Sequence, residues 1–231
     1  MNRRLYALHR WVSLAGLVQL WVWSVSGLYF NLSRESAVKG NPVADAHVAA
    51  LGEKVPSIAA IREPSKLVLG GEPERIDIIG TPAGTFVVAR RGDLSVRFDE
   101  RGALSPPTAD EAGVIARRDQ PGSPVVRAVR WLDRGDAPVE YRGRPLPAFQ
   151  VELDDDESTH VYVDAQTGEV TARRTGTWRV YDFLWGLHIM DYGDREDIRG
   201  MLLLAFGSIA LLTATTGAVL WIARLARRKR S

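Results

Sequence analysis

Two uncharged stretches constrain this chain more than any other feature. Trp11–Leu32, reading WVSLAGLVQLWVWSVSGLYFNL, carries no charged residue over 22 positions, and residues 201–223, reading MLLLAFGSIALLTATTGAVLWIA, repeat the pattern. An α-helix of about 20 residues spans roughly 30 Å, the thickness of the hydrocarbon layer of a bilayer. The second stretch is apolar on every face of a helix, which makes it a poor candidate for a buried helix of a soluble protein. Each is therefore expected to be a transmembrane helix. Trp11 stands at one end of the first span, Tyr29 and Phe30 at the other, and Trp221 at one end of the second. Such amphipathic rings favour the headgroup level. A cleaved signal peptide is the bland alternative for the first span, but its apolar run exceeds the usual core of about 7–15 residues and no A-x-A site follows.

Charge is distributed unevenly around these spans. Residues 1–32 contain Arg3, Arg4 and Arg10 and no acid; residues 200–231 contain Arg224, Arg227, Arg228, Lys229 and Arg230 and no acid. All 28 acids and 22 of the 30 basic residues lie between, so the central stretch is near −6 although the whole chain is +2. The positive-inside bias places both termini in the cytoplasm and residues 33–199 outside it. An acidic central stretch argues against nucleic-acid binding, which asks for a basic face on the folded domain. The absence of cysteine excludes disulfides, thiolate metal sites, iron–sulfur clusters, covalent c-type haem and thiol nucleophiles.

The central stretch opens with a polar tether, 33–56, and continues as two similar blocks, 57–107 and 108–175. The first is expected to hold a short helix within 57–69, which Pro64 would keep from growing long, and strands at 75–80, 85–90 and 94–99. The second is expected to hold a helix at 109–118 with Thr108 as N-cap, then strands at 126–132, 148–153, 159–164 and 169–173. TFVVARRGDLSVRFDERGALS matches AFQVELDDDESTHVYVDAQTGEVT weakly, pairing Phe86 with Phe149, Asp99 with Asp164 and Gly102 with Gly168. This reads as a repeated unit of helix and antiparallel hairpin. Asp and Gly suit the turn, since Asp caps nearby amides and Gly accepts positive φ. The acidic run 154–157 is expected at a solvated hairpin tip.

LPAFQVELDDDESTHVYVDAQTGEV resembles the end of a PepSY domain, whose last hairpin reads roughly v-y-V-D-x-x-T-G-E-V. LHRWVSLAGLVQLWVWSVSGLYF resembles the first helix of PepSY-associated transmembrane proteins. LWGLHIMDYGDREDIRGMLLLAFGSIALLTATTGAVLW resembles their L-H-x-G segment leading into a later helix. The resemblance runs through 1–32 and 146–222 and thins over 33–107. It implies membrane α plus external α+β: a cytoplasmic N-terminus at 1–10, a helix at 11–32, the tether, a periplasmic PepSY-like domain at 57–175, an aromatic interfacial segment at 176–199, a second helix at 200–223 and a basic cytoplasmic tail at 224–231. The implied location is the bacterial inner membrane.

Four histidines are present: His9, His47, His160 and His188. No two are three or four residues apart, so no local zinc chelate forms, and no phosphate loop or nucleophile elbow appears. No metal site and no catalytic group are assigned. His160 alternates with Tyr162 on a strand and reads as a surface or packing residue; His47 falls in the tether and is assigned nothing. His9 and His188 match the family motifs. Larger relatives resemble haem-bearing iron-siderophore reductases, so the resemblance implies both as ligands of haem b. They are expected at opposite membrane faces, roughly 30 Å apart, so one chain cannot clamp one haem between them. The alternative is that both are interfacial residues bonded to backbone, headgroups or acids such as Asp182 and Asp191. Gly16 and Gly27 in the first span and Gly207 and Gly217 in the second allow close helix packing in lipid, within the chain or, alternatively, against a partner subunit or a second copy.

Two functions follow as expectations. One is an accessory, non-enzymatic subunit of a larger respiratory or metal-uptake membrane complex. The other is a haem-b electron-transfer protein of the ferric-reductase kind, working as an oligomer. Inhibition of an exported protease is a third, disfavoured because two permanent anchors are an odd format for a propeptide.

Overall fold

The computed structural model describes residues 3–33, 38, 56–193, 195 and 197–228, with side chains outside the description for 3–10, 219, 220 and 223–228. The tether apart from Ser33, Val38 and Pro56, including His47, and the His9 side chain therefore lie outside the described residues. The chain divides into two compact units, one formed by its two ends and the other by Glu35–Arg179.

The end unit holds α1 (Arg3–Leu32) and a closing helix, Met201–Arg228, which pack against each other. Trp11–Leu32 and Met201–Ala218 within them are long and apolar enough to cross a membrane. Most large side chains on both are exposed, among them Leu17, Trp21, Leu28, Leu204 and Leu211. Apolar residues turned outward over their full length are what lipid, rather than water, would accommodate.

The central unit is built from two blocks with the same order of elements. In the first, α2 (Ile58–Leu69) is capped by Ser57, whose hydroxyl accepts from the Ala60 N–H, and ends at left-handed Gly70. The helix runs through Pro64 rather than stopping there, giving up one backbone bond. It packs on an antiparallel sheet of β1 (Arg75–Thr81), β2 (Gly84–Arg91) and β3 (Leu94–Phe98) in that order. Ile61 and Leu69 meet Val87, Ala89, Val96 and Phe98 in a closed core. Alternation along each strand puts those side chains on one face.

In the second block, α3 (Ala109–Asp119) starts at Thr108, whose hydroxyl accepts from Glu111 N–H at 3.2 Å. Asp110 and Glu111 in the first turn and Arg117 and Arg118 in the last complement the helix dipole. Its sheet is β4 (Val125–Leu132), β5 (Ala148–Asp154), β6 (His160–Asp164) and β7 (Val170–Arg174), all antiparallel. The β4–β5 register shifts between Val126 and Ala128, which is a bulge. Ala112, Ile115 and Ala116 pack on Phe149, Val151, Leu153, Val161 and Val163. The opposite face carries Ala148, Tyr162 and Ala172, covered by Tyr141 and Leu132.

The paired turns of the two blocks use one chemistry. Asp99 Oδ1 accepts from the amides of Arg101 and Ala103, and Asp164 Oδ1 from those of Gln166 and Thr167. Gly102 and Gly168 follow with φ of +77° and +81°. The bridge Phe98–Leu104 stands where the second block has the full β6–β7 pair. The blocks are stapled by Arg97 on β3. Its wholly buried guanidinium binds both oxygens of Glu111 at 2.6 and 2.7 Å, donates to Ser105 O, and lies 3.8 Å from the centre of the Phe86 ring. Arg90 with Glu169, and Ser95 N–H with Gln166, extend the seam.

Candidate functional site

Helix α4 (Gly176–Ile189) follows β7 and carries the aromatic run with His188. The unit boundary falls within it, after Arg179. It ends where Met190 adopts φ +57° and Asp191 N–H returns to Gly186 O at 3.1 Å. The following loop folds back on the helix. Arg195 binds buried Asp182 at 2.5 Å, and Trp185 Nε1 donates to Arg195 O at 3.1 Å. Gly186 permits this, because a Cβ there would stand 3.0 Å from Arg195 and 3.1 Å from Asp191 O.

His188 is held by α1. Its Nδ1 lies 2.7 Å from Ser26 Oγ, and its carbonyl accepts from Trp23 Nε1 at 2.7 Å. Phe30 meets the imidazole edge-on at 5.4 Å between centres, and Trp185 lies parallel to it at 6.5 Å. The expected acid partners do not bind the ring: Asp182 takes Arg195, and Asp191 takes the amides of Gly193 and Asp197. Ser26 was not singled out for this role by its sequence position, 162 residues away.

The tautomer follows from counting protons. Ser26 Oγ also lies 2.7 Å from Val22 O, and a carbonyl only accepts, so the single hydroxyl proton goes there. His188 Nδ1 must then donate to Oγ. Nε2 is left as a lone pair with no hydrogen-bond partner among the described residues. Burial pushes the imidazole pKa below its ordinary value, which keeps the ring neutral near pH 7. A histidine with one nitrogen fixed by a hydrogen bond and the other free is the form that accepts a proton, a hydrogen bond or a metal.

His9 sits on the same continuous helix as Ser26, 17 residues earlier, which at 1.5 Å per residue is about 25 Å away. The structure does not bring His9 and His188 together. A Cβ added at Gly16, Gly27, Gly207 or Gly217 would meet nothing within 4 Å.

The central unit has a second polar centre that the sequence did not announce. Glu140, in a short 3-10 turn at Val139–Tyr141, lies against the β5–β6 face. Its Oε1 accepts from Tyr162 OH at 2.6 Å and His160 Nδ1 at 2.5 Å, and its Oε2 from Arg179 Nε at 2.9 Å. Gln150 Nε2 donates to Tyr162 OH at 2.9 Å, and Tyr141 stacks on Tyr162 at 4.3 Å. Burial would raise the Glu140 pKa, but donors from His160, Arg179 and Tyr162 outweigh it and hold the carboxyl at about 2. Burial and the adjacent carboxylate push the Tyr162 phenol upward. His160 is thus a half-buried packing residue whose partner is an acid in an irregular segment. Among the described residues no group of three or more His, Asp or Glu side chains is placed to hold a metal.

The architecture defines an α+β domain carried between two apolar helices. Residues 108–174, which are α3 with its cap and β4 to β7, match the PepSY family, described as the peptidase propeptide and YPEB domain. The chain therefore carries a PepSY domain at these positions, including Glu140, Gln150, His160 and Tyr162. No curated protein and no solved structure matches the chain.

Proposed function

We propose that this chain is a bacterial inner-membrane protein, with both termini cytoplasmic and its PepSY domain periplasmic, that acts as a non-catalytic interaction subunit of a larger membrane complex, respiratory or metal-uptake. The observation that carries this reading is the state of Glu140. It has the most strongly depressed carboxyl of the domain, and it is ionised and occupied by three internal donors. A general acid or base needs a pKa near the working pH and a free approach to substrate; a carboxylate at about 2 that is saturated from within organises a fold. The test is in-cell photocrosslinking from exposed Asp156, followed by purification and mass spectrometry. The expected result is a defined adduct with one membrane-complex component. A chain that gives no adduct and purifies as a solitary monomer would sink the proposal.

A second reading, a haem-b-binding oligomer, draws on the free Nε2 of His188. The fit within one chain is incomplete: His188 would supply one ligand, and His9 lies about 25 Å along α1 from Ser26, the residue bonded to His188. A second copy or another subunit would have to supply the other ligand. Haem would bring one-electron chemistry, whereas His188, Ser26 and Trp23 would position the ring. A Soret band in the purified oligomer, lost in His188→Ala, is the expected signature; a colourless oligomer rejects this reading.

A further inference from the structure

The two apolar helices leave a groove between them at the Met201 end. Its volume is about 570 Å³, and its walls include Trp23, Leu203, Leu204, Gly207 and Leu211, with Arg199 at its mouth. That volume lies within the range of about 300–1,000 Å³ typical of small-ligand sites. The walls offer few free hydrogen-bonding groups. Trp23 Nε1 is committed to His188 O at 2.7 Å, and the Ser208 hydroxyl, also on the wall, turns back to Leu204 O at 2.8 Å. A dry apolar groove binds hydrocarbon rather than water. It runs from the loop at 198–200 to Leu211, ten residues past Met201, so its depth is about 15 Å, or half the hydrocarbon layer.

The mouth has the opposite chemistry. Arg199 is exposed, and among the described residues its guanidinium has no carboxylate partner; Asp197 Oδ1 accepts from the Arg199 backbone N–H instead. The helix that begins at Met201 has no acid in its first turn, so its positive end adds to the same field. An apolar slot one leaflet deep beneath an exposed guanidinium matches an anionic amphiphile in both parts.

We propose that this groove holds an acyl chain of an anionic phospholipid, whose phosphate pairs with Arg199. Guanidinium and phosphate oxygens suit a bidentate, charge-assisted pair. The lipid fills the space left by the missing side chain of Gly207, where a Cβ would meet nothing within 4 Å. The inference rests on the membrane reading of the two helices.

The test uses the full chain reconstituted in vesicles of 70% phosphatidylcholine and 30% phosphatidylglycerol, extracted in mild detergent and weighed by native mass spectrometry. One retained phosphatidylglycerol is expected, enriched at least five-fold over its share of the vesicle. Arg199→Gln should abolish the enrichment and Arg199→Lys restore part of it. Gly207→Leu should lower retention of both lipids at an unchanged melting temperature. Equal retention of the two lipids by the wild type, or enrichment unchanged in Arg199→Gln, overturns the proposal. Release of the chain from membranes by alkaline carbonate would instead overturn the membrane reading beneath it.

Discussion

Glu140 keeps its charge because three donors converge on it, and the consequence is measurable. Its folded pKa, about 2, lies below the ordinary 4.5. The stabilisation is therefore fully present above about pH 4.5 and is lost as pH falls toward 2. A shift of that size corresponds to about 3 kcal/mol. In urea unfolding of the full chain, the stability gap between wild type and Glu140→Gln should be largest near neutral pH. It should then shrink by about that amount across this window; a gap independent of pH would reject the role given to the carboxylate. His160 and Tyr162 were visible in the sequence as alternating strand residues, but Glu140 was not. It belongs to the irregular stretch between β4 and β5, where no period exists to mark a residue as inward-facing. The same limit applies to Ser26: hydroxyls are common in apolar helices, and nothing local ties this one to His188.

At the scale of elements, the sequence specified the blocks well where local chemistry dominates. Thr108, the Asp164–Gly168 turn and the strand segments all rest on caps, turns and alternation, which act over a few residues. The seam between the blocks rests on Arg97, which sits on a short strand among exposed-looking charges. A charged residue in such a pattern reads as solvated; its burial depends on Glu111 arriving from another element. Removing one partner of a buried ion pair leaves the other charge unmatched, at about 3–5 kcal/mol. Arg97→Ala should lower stability by that amount in thermal or urea unfolding, while Arg97→Met combined with Glu111→Leu should recover most of it. Gly168 is bound to the same seam. Its φ of +81° disfavours any side chain, and a Cβ would stand 2.7 Å from Arg97 Nη1.

For the whole molecule, the absence of cysteine turns topology into a direct experiment. Asp156 is exposed near the β5–β6 turn, and Ser231 ends the basic tail. With the proposed orientation, a membrane-impermeant maleimide should label Asp156→Cys in spheroplasts and Ser231→Cys only after lysis. The reverse pattern would invert the orientation, and labelling of both without lysis would remove the cytoplasmic tail from the account. The two long apolar helices and their flanking charge were legible in the sequence because they need no tertiary information. The PepSY match covers the second block alone; the first shares its turn chemistry but has a three-stranded sheet where the second has four strands.

The bulge between Val126 and Ala128 has a consequence for life in two dimensions. β4 is an edge of its sheet, and anchoring would confine many copies to a thin layer where edges collide often. The register break interrupts the even ladder that an incoming strand needs, and Arg127 and Arg130, paired with Asp154 and Asp136, line that edge with charge. Interrupted and charged edges resist zippering between neighbours. The β4 edge therefore resists pairing with the same edge of a neighbouring copy, however closely the copies are crowded.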